Sequence, residues 1–112
     1  MKRLLIIAIL FFALSQIKAQ TTSYSVVINF NKEQSKFEEP TPQVNIISID
    51  RTGKRIRINE NHSYYIQRVL DQKGIVIFDC RDSLTKEGCS IEFFDNYKVA
   101  QFEYPNRKYR LK

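Results

Sequence analysis

One histidine, two cysteines, one methionine and no tryptophan occur among the 112 residues. A single histidine and two cysteines leave too few conventional ligands for a zinc centre. No serine lies in a G-x-S-x-G elbow, and the cysteines are spaced C-x8-C, far from a dithiol-exchange C-x-x-C. No calcium-loop alternation of acidic residues and glycine is present, so Asp79, Asp82 and Glu87 read as a solvated polar loop. No cofactor or metal is expected. The chain also lacks a run of about 20 apolar residues, the length a membrane-spanning helix needs.

The longest apolar run is Leu4 through Leu14, preceded by Lys2 and Arg3 and followed by Ile17-Lys18-Ala19. A short positive region, an eleven-residue apolar core and a small-residue cleavage site make a signal peptide over 1–19. Cleavage leaves Gln20 as the mature N-terminus and one domain, 20–112. The junction resembles leaders of exported proteins from Bacteroidetes-type bacteria, which implies a periplasmic or secreted product. No cysteine near the cleavage site offers a lipid attachment, and the ending Tyr109-Arg110-Leu111-Lys112 is no glycolipid-anchor tail. The mature chain is therefore not expected to be an integral membrane protein. Lys2, Arg3 and Lys18 leave with the leader and lower the formal charge from +6 to +3, an ordinary solubility-grade value.

An oxidising destination makes a Cys80–Cys89 disulfide the expected state of the two cysteines. Closing a ten-residue loop would stabilise a domain this small by ~2.7 kcal/mol in the chain-entropy account.

After residue 23 the apolar period is two. Tyr24, Val26, Ile28 and Phe30 form the expected inward face of a first strand, and Pro40 and Pro42 mark a connection. Val44 to Asp50 is a second strand whose Ile46-Ile47 suggests a bulge. Ile56 and Ile58 oppose Arg55 and Arg57, whereas Tyr64 to Leu70 reads as partly buried on both faces. Val76, Phe78 and Cys80 share a face, as do Cys89, Ile91 and Phe93, and Phe78, Phe93 and Phe102 are core candidates. Tyr97 to Tyr104 adds a strand and Tyr109-Arg110-Leu111 a terminal edge. Seven or eight short strands without a long helical period predict an all-β domain. A small antiparallel β-sandwich is favoured, because one-sided, edge-like strands stand beside doubly apolar ones.

Three segments carry a family resemblance: Gln43 to Lys54 with Asp50-Arg51-Thr52-Gly53-Lys54, Asp71-Gln72-Lys73-Gly74 before Ile75 to Phe78, and Gly88 before Cys89 to Phe93. Over residues 43–104 the chain resembles the carboxypeptidase-regulatory-like and transthyretin-like β-sandwich group. Asn96-Tyr97 stands where that group has Gly-Tyr, and Leu70 where it has Thr. The resemblance implies a sandwich and an accessory, surface or adhesion role.

Candidate chemistry is sparse. His62 is the one candidate base, and a solvent-facing loop position is its expected setting. Asn61-His62-Ser63 formally matches a glycosylation acceptor. Two basic stretches, Lys54, Arg55 and Arg57 and then Tyr104, Arg107, Lys108, Tyr109 and Arg110, are the candidate binding faces. Glu92, Asp95 and Glu103 interrupt the basic character, and with export this argues against nucleic acid as a partner. The expected function is that of an exported, non-enzymatic binding or accessory protein. Its partner would be an envelope or extracellular protein or an anionic glycan. The alternatives are a small extracytoplasmic hydrolase using His62 and an inhibitor or immunity-type protein.

Overall fold

Nine strands run through residues 20–112, the part of the chain that the computed structural model describes. The leader reading, at 1–19, lies outside the described residues. The strands are β1 (Gln20–Asn31), β2 (Lys36–Phe37), β3 (Thr41–Asp50), β4 (Arg55–Ile58), β5 (His62–Gln72), β6 (Ile75–Asp82), β7 (Gly88–Phe94), β8 (Val99–Glu103) and β9 (Lys108–Leu111). From β3 to β9 every strand pairs antiparallel with the next, and β9 then pairs with β1, which also pairs with β3. Eight strands thus close a ring, with the two-residue β2 as an extra partner at the far end of β1.

This closed barrel overturns the expected sandwich, and with it the transthyretin-like resemblance. Alternating apolar faces serve both architectures equally. The deciding feature is Lys108–Leu111, of which Tyr109-Arg110-Leu111 reads from sequence as a terminal edge. It bonds β8 through Ala100↔Leu111 and Phe102↔Tyr109, and β1 through Val27↔Leu111 and Asn29↔Tyr109. No edge remains between the first and last strands, which is how closure removes the risk of edge-to-edge pairing.

The inward positions form one core of Tyr24, Ile47, Ile49, Ile56, Ile58, Tyr64, Val76, Phe78, Ile91, Phe93, Ala100, Phe102 and Leu111. Phe78 and Phe93 meet edge to face with ring centroids 5.7 Å apart. Phe78, Phe93 and Phe102 are each essentially inaccessible to solvent, as their alternating settings predict. An eight-stranded barrel is just wide enough for such side chains to fill it or for one small ligand to enter.

Facing differs from the sequence reading in β1 and β5, and β3, whose facing Ile46-Ile47 leaves open in the sequence, takes a single alternation. In β1 the ladder to β3 shifts between Tyr24 and Val26, and the Ser25 and Val26 amides both donate to the Lys112 carbonyl. Beyond that irregularity Val27 and Asn29 turn inward opposite Leu111 and Tyr109, while Ile28 turns outward beside Arg110. The expected inward set therefore holds for Tyr24 and fails for Val26, Ile28 and Phe30. In β3 Asn45, Ile47 and Ile49 face in, whereas Val44 and Ile46 are exposed. In β5 a register shift between Ile66 and Arg68 ends the burial, and Gln67 to Gln72 are exposed instead of being buried on both faces.

The disulfide is also corrected. Cys80 and Cys89 lie opposite each other on β6 and β7, yet both are free and buried. The Cys80 thiol is turned along its own strand, 3.5 Å from the Phe78 carbonyl oxygen. Burial pushes the Cys80 thiol up to about 12 and the Cys89 thiol to about 11, so both stay protonated at neutral pH. They act as small apolar core residues.

The two ends of the barrel differ. One carries the β3–β4, β5–β6 and β7–β8 turns and is plugged by side chains. There Tyr24 donates its hydroxyl hydrogen to the Tyr97 carbonyl at 2.6 Å, and the Arg51 guanidinium lies over the Phe78 ring. The opposite end carries the β4–β5, β6–β7 and β8–β9 turns and is open.

Candidate functional site

The open end is built by polar residues at inward positions where aliphatic ones would complete the core. The β4–β5 connection is three residues long, because Ile58 pairs directly with His62. Asn59 and Glu60 there adopt left-handed conformations, with φ of 53° and 62°, a region that asparagine tolerates better than most residues. Asn59 uses this geometry to continue the ladder onto β3. Its amide donates to the Ile46 carbonyl at 2.8 Å, and its Oδ1 accepts from the Ile46 amide at 2.8 Å.

That second bond fixes the orientation of two side chains. Because Asn59 Oδ1 is held by a backbone donor, its Nδ2 must face Asn45, where it donates to Oδ1 at 2.9 Å. Asn45 Oδ1 is thereby occupied, and its Nδ2 points away without a protein partner. Asn45 is only 6% exposed. It lines a pocket of about 290 Å³ at the barrel mouth, together with Val27, Asn29, Gln43, Ile58, Asn61, His62, Tyr109 and Leu111.

One wall of the pocket contains a buried polar chain. Asp82, at the end of β6, is wholly inaccessible. Its Oδ1 accepts from His62 Nε2 at 2.8 Å and from the Leu84 and Thr85 amides at 2.8 and 3.3 Å. Its Oδ2 accepts from the Tyr104 hydroxyl at 2.6 Å. Since the Tyr104 hydrogen is committed to Asp82, the Tyr64 hydroxyl, 2.7 Å away, donates to Tyr104. Burial alone would raise the Asp82 carboxyl, but the bonds from Tyr104, His62, Leu84 and Thr85 together outweigh it and hold the carboxyl at about 2. Tyr104 and Tyr64 are pushed well above the ordinary phenol range, chiefly by burial.

An ionised Asp82 determines the histidine tautomer. Neutral His62 carries its hydrogen on Nε2, toward the carboxylate, which leaves Nδ1 as an acceptor. The ring is further fixed by stacking on Tyr64 at 4.6 Å. His62 is therefore no isolated loop residue: it opens β5, and its side chain is 27% exposed. Asp82, read as part of a solvated loop, is the buried anchor of the network. Only its proximity to polar residues far apart in sequence gives it that role, and no local motif signals it.

The expected binding faces are dispersed. Lys54 lies in the β3–β4 turn, and Arg55 and Arg57 on the outside of β4 border a second pocket, of about 390 Å³, with Ser48, Asp50 and Glu60. Two carboxylates at that pocket offset its basic character. Tyr104 is buried, and Tyr109 stacks on Phe102 with ring centroids 4.8 Å apart. Arg107 covers the Tyr104 ring at 3.7 Å and pairs with Glu87, whereas Arg110 lies over Phe37 and donates to Gln101. Lys108 sits 4.2 Å from the Phe30 ring centroid. β1 and β3 separate the two basic groups around the ring.

Among the described residues no group of three His, Cys, Asp or Glu side chains is placed to hold a metal ion. No helix there is long and apolar enough to cross a membrane. Compared with protein-family models, curated proteins and solved structures, the chain finds no match.

Proposed function

We propose that this protein is an exported, non-enzymatic binding protein that acts in the periplasm or outside the cell and takes its ligand at the barrel mouth. The export half of the reading rests on Lys2 and Arg3, the apolar run Leu4 to Leu14 and Ile17-Lys18-Ala19. The observation that carries the binding half is Asn45, which lines the mouth with its Oδ1 taken by Asn59 and its Nδ2 left for water or a ligand. That amide is not among the buried atoms left without a partner, so it is open to solvent at the mouth, and a ligand acceptor placed there takes the place of water. An open cavity with a few convergent polar groups is the usual form of a small-ligand site. An inhibitor or immunity-type role would use the same surface-complementarity physics with a protein segment as the ligand.

Retention of an envelope or extracellular component on the immobilised protein tests this reading. Asn45→Leu is expected to lower retention at least tenfold, with Arg55→Glu/Arg57→Glu binding as well as the parent. The opposite pattern overturns the mouth as the site and returns binding to the basic strand.

The 2.8 Å His62–Asp82 contact favours a second reading, a small hydrolase with His62 as general base. Among the described residues His62 bonds no serine, threonine or cysteine side chain, so a water would have to be the nucleophile. Turnover of ester or glycoside substrates that disappears in His62→Gln would establish it.

A further inference from the structure

We infer that the mouth takes one uncharged sugar ring, either a free monosaccharide or the terminal residue of a neutral glycan. This rests on the mouth being a binding site and specifies its ligand. Charge comes first. The groups lining the pocket are amides, a phenol, an imidazole and aliphatic side chains; Asp82, bonded to His62, is inaccessible and satisfied by four donors, and Glu60, between Asn59 and Asn61, lines the neighbouring pockets instead. A charged ligand would give up hydration there without meeting a counter-charge. An acyl chain would leave the amides unpaired.

The arrangement of the polar groups is the second point. Asn45 Nδ2 offers a donor and the Asn61 amide offers both a donor and an acceptor, so a ligand that presents both is matched. Hydroxyl groups do both. Gln43 and Asn29, on the neighbouring strands β3 and β1, add amides whose oxygen and nitrogen match a pair of adjacent hydroxyls.

Shape is the third. Val27, Ile58 and Leu111 supply an apolar patch, and the Tyr109 ring is held nearly parallel to Phe102, at 6°. A sugar ring has a C–H face for such a patch and a hydroxyl rim for the amides. About 290 Å³ in a pocket that opens to solvent has room for a sugar ring.

Titration of isotope-labelled protein with D-glucose, D-galactose, D-mannose and N-acetyl-D-glucosamine, followed by NMR, tests the inference. D-glucuronate, uracil and decanoate serve as the charged, planar and apolar comparisons. At least one neutral sugar is expected to shift the Asn45 and Gln43 side-chain amide signals saturably, with a dissociation constant on the order of 1 mM for a ligand of this size. Asn45→Leu should weaken it at least tenfold. Gln43→Ala, at an exposed position that folding does not depend on, should weaken it severalfold. Equal binding of the matching oligosaccharide assigns a glycan terminus, and binding of the monosaccharide alone assigns the free sugar. Saturation by glucuronate, uracil or decanoate with the neutral sugars silent overturns the sugar class while retaining the mouth as the site. If none of the seven compounds shifts these signals, the sugar inference fails, and the retention experiment with Asn45→Leu decides separately whether the mouth binds anything.

Discussion

Asp82 shows how much one residue can carry. It ties β6 to His62 at the start of β5, to Tyr104 after β8 and to the amides of its own turn. Removing the carboxylate strands a buried phenol and an imidazole hydrogen at once. Asp82→Ala is therefore expected to cost about 3 kcal/mol or more, measured by urea unfolding. The same network sets a pH dependence. The folded-state value of about 2 lies below the ordinary 3.8, so the stabilisation is complete above the latter and disappears as pH falls toward the former. Its size is about 2 kcal/mol. Urea midpoints should drop between pH 4 and pH 2 in the parent, with a smaller drop in Asp82→Asn; equal drops would detach Asp82 from acid sensitivity. None of this was legible in the sequence, where Asp82 sits among Arg81, Ser83 and Lys86 like any loop acid. Its partners lie 20 and 22 residues away, and only the barrel register brings them together.

At the scale of strands, much could be read from period two. The inward faces of β4, β6 and β7 are those that alternation specifies, down to Val76, Phe78 and Cys80 opposite Phe93, Ile91 and Cys89. Alternation fails where the ladder shifts, because a single irregularity moves every later side chain to the other face. In β1 that shift puts Val27 and Asn29 into the mouth and sends Ile28 out, so the apolar count of a strand misidentified its face and hid the pocket. The β4–β5 turn was equally opaque: Asn59 reads as a polar break, yet it continues the ladder and orients Asn45. Two substitutions separate its side-chain bonds from its backbone conformation. Asn59→Gly keeps the left-handed geometry and loses the bonds to Ile46 and Asn45, an expected cost of about 1–2 kcal/mol. Asn59→Ala should cost about 1 kcal/mol more, since its Cβ disfavours φ near 53°. Equal stability of the two variants in urea would mean that the turn relaxes out of that conformation.

The molecule as a whole depends on its last strand. Sandwich and barrel share the same alternating sequence, so fold class was legible and closure was not; what distinguishes them is whether four residues near the C-terminus pair on one side or on both. Lys108–Leu111 pairs on both, and Leu111 adds a side chain that is 2% exposed at the floor of the mouth. Arg110 is placed between Ile28 of β1 and Gln101 of β8. A proline there removes a ladder donor and breaks the Arg110–Gln101 bond, leaving β1 and β8 with unpaired edges of the kind that recruit other strands. Arg110→Pro should therefore unfold without a single cooperative transition and form larger species in size-exclusion chromatography. Lys36→Pro is the matched comparison, because β2 is paired to the ring only through two residues of β1. It should elute and unfold like the parent. If Arg110→Pro did so too, the barrel would be held by its inward side chains, and β9 pairing would be a consequence of closure instead of its cause.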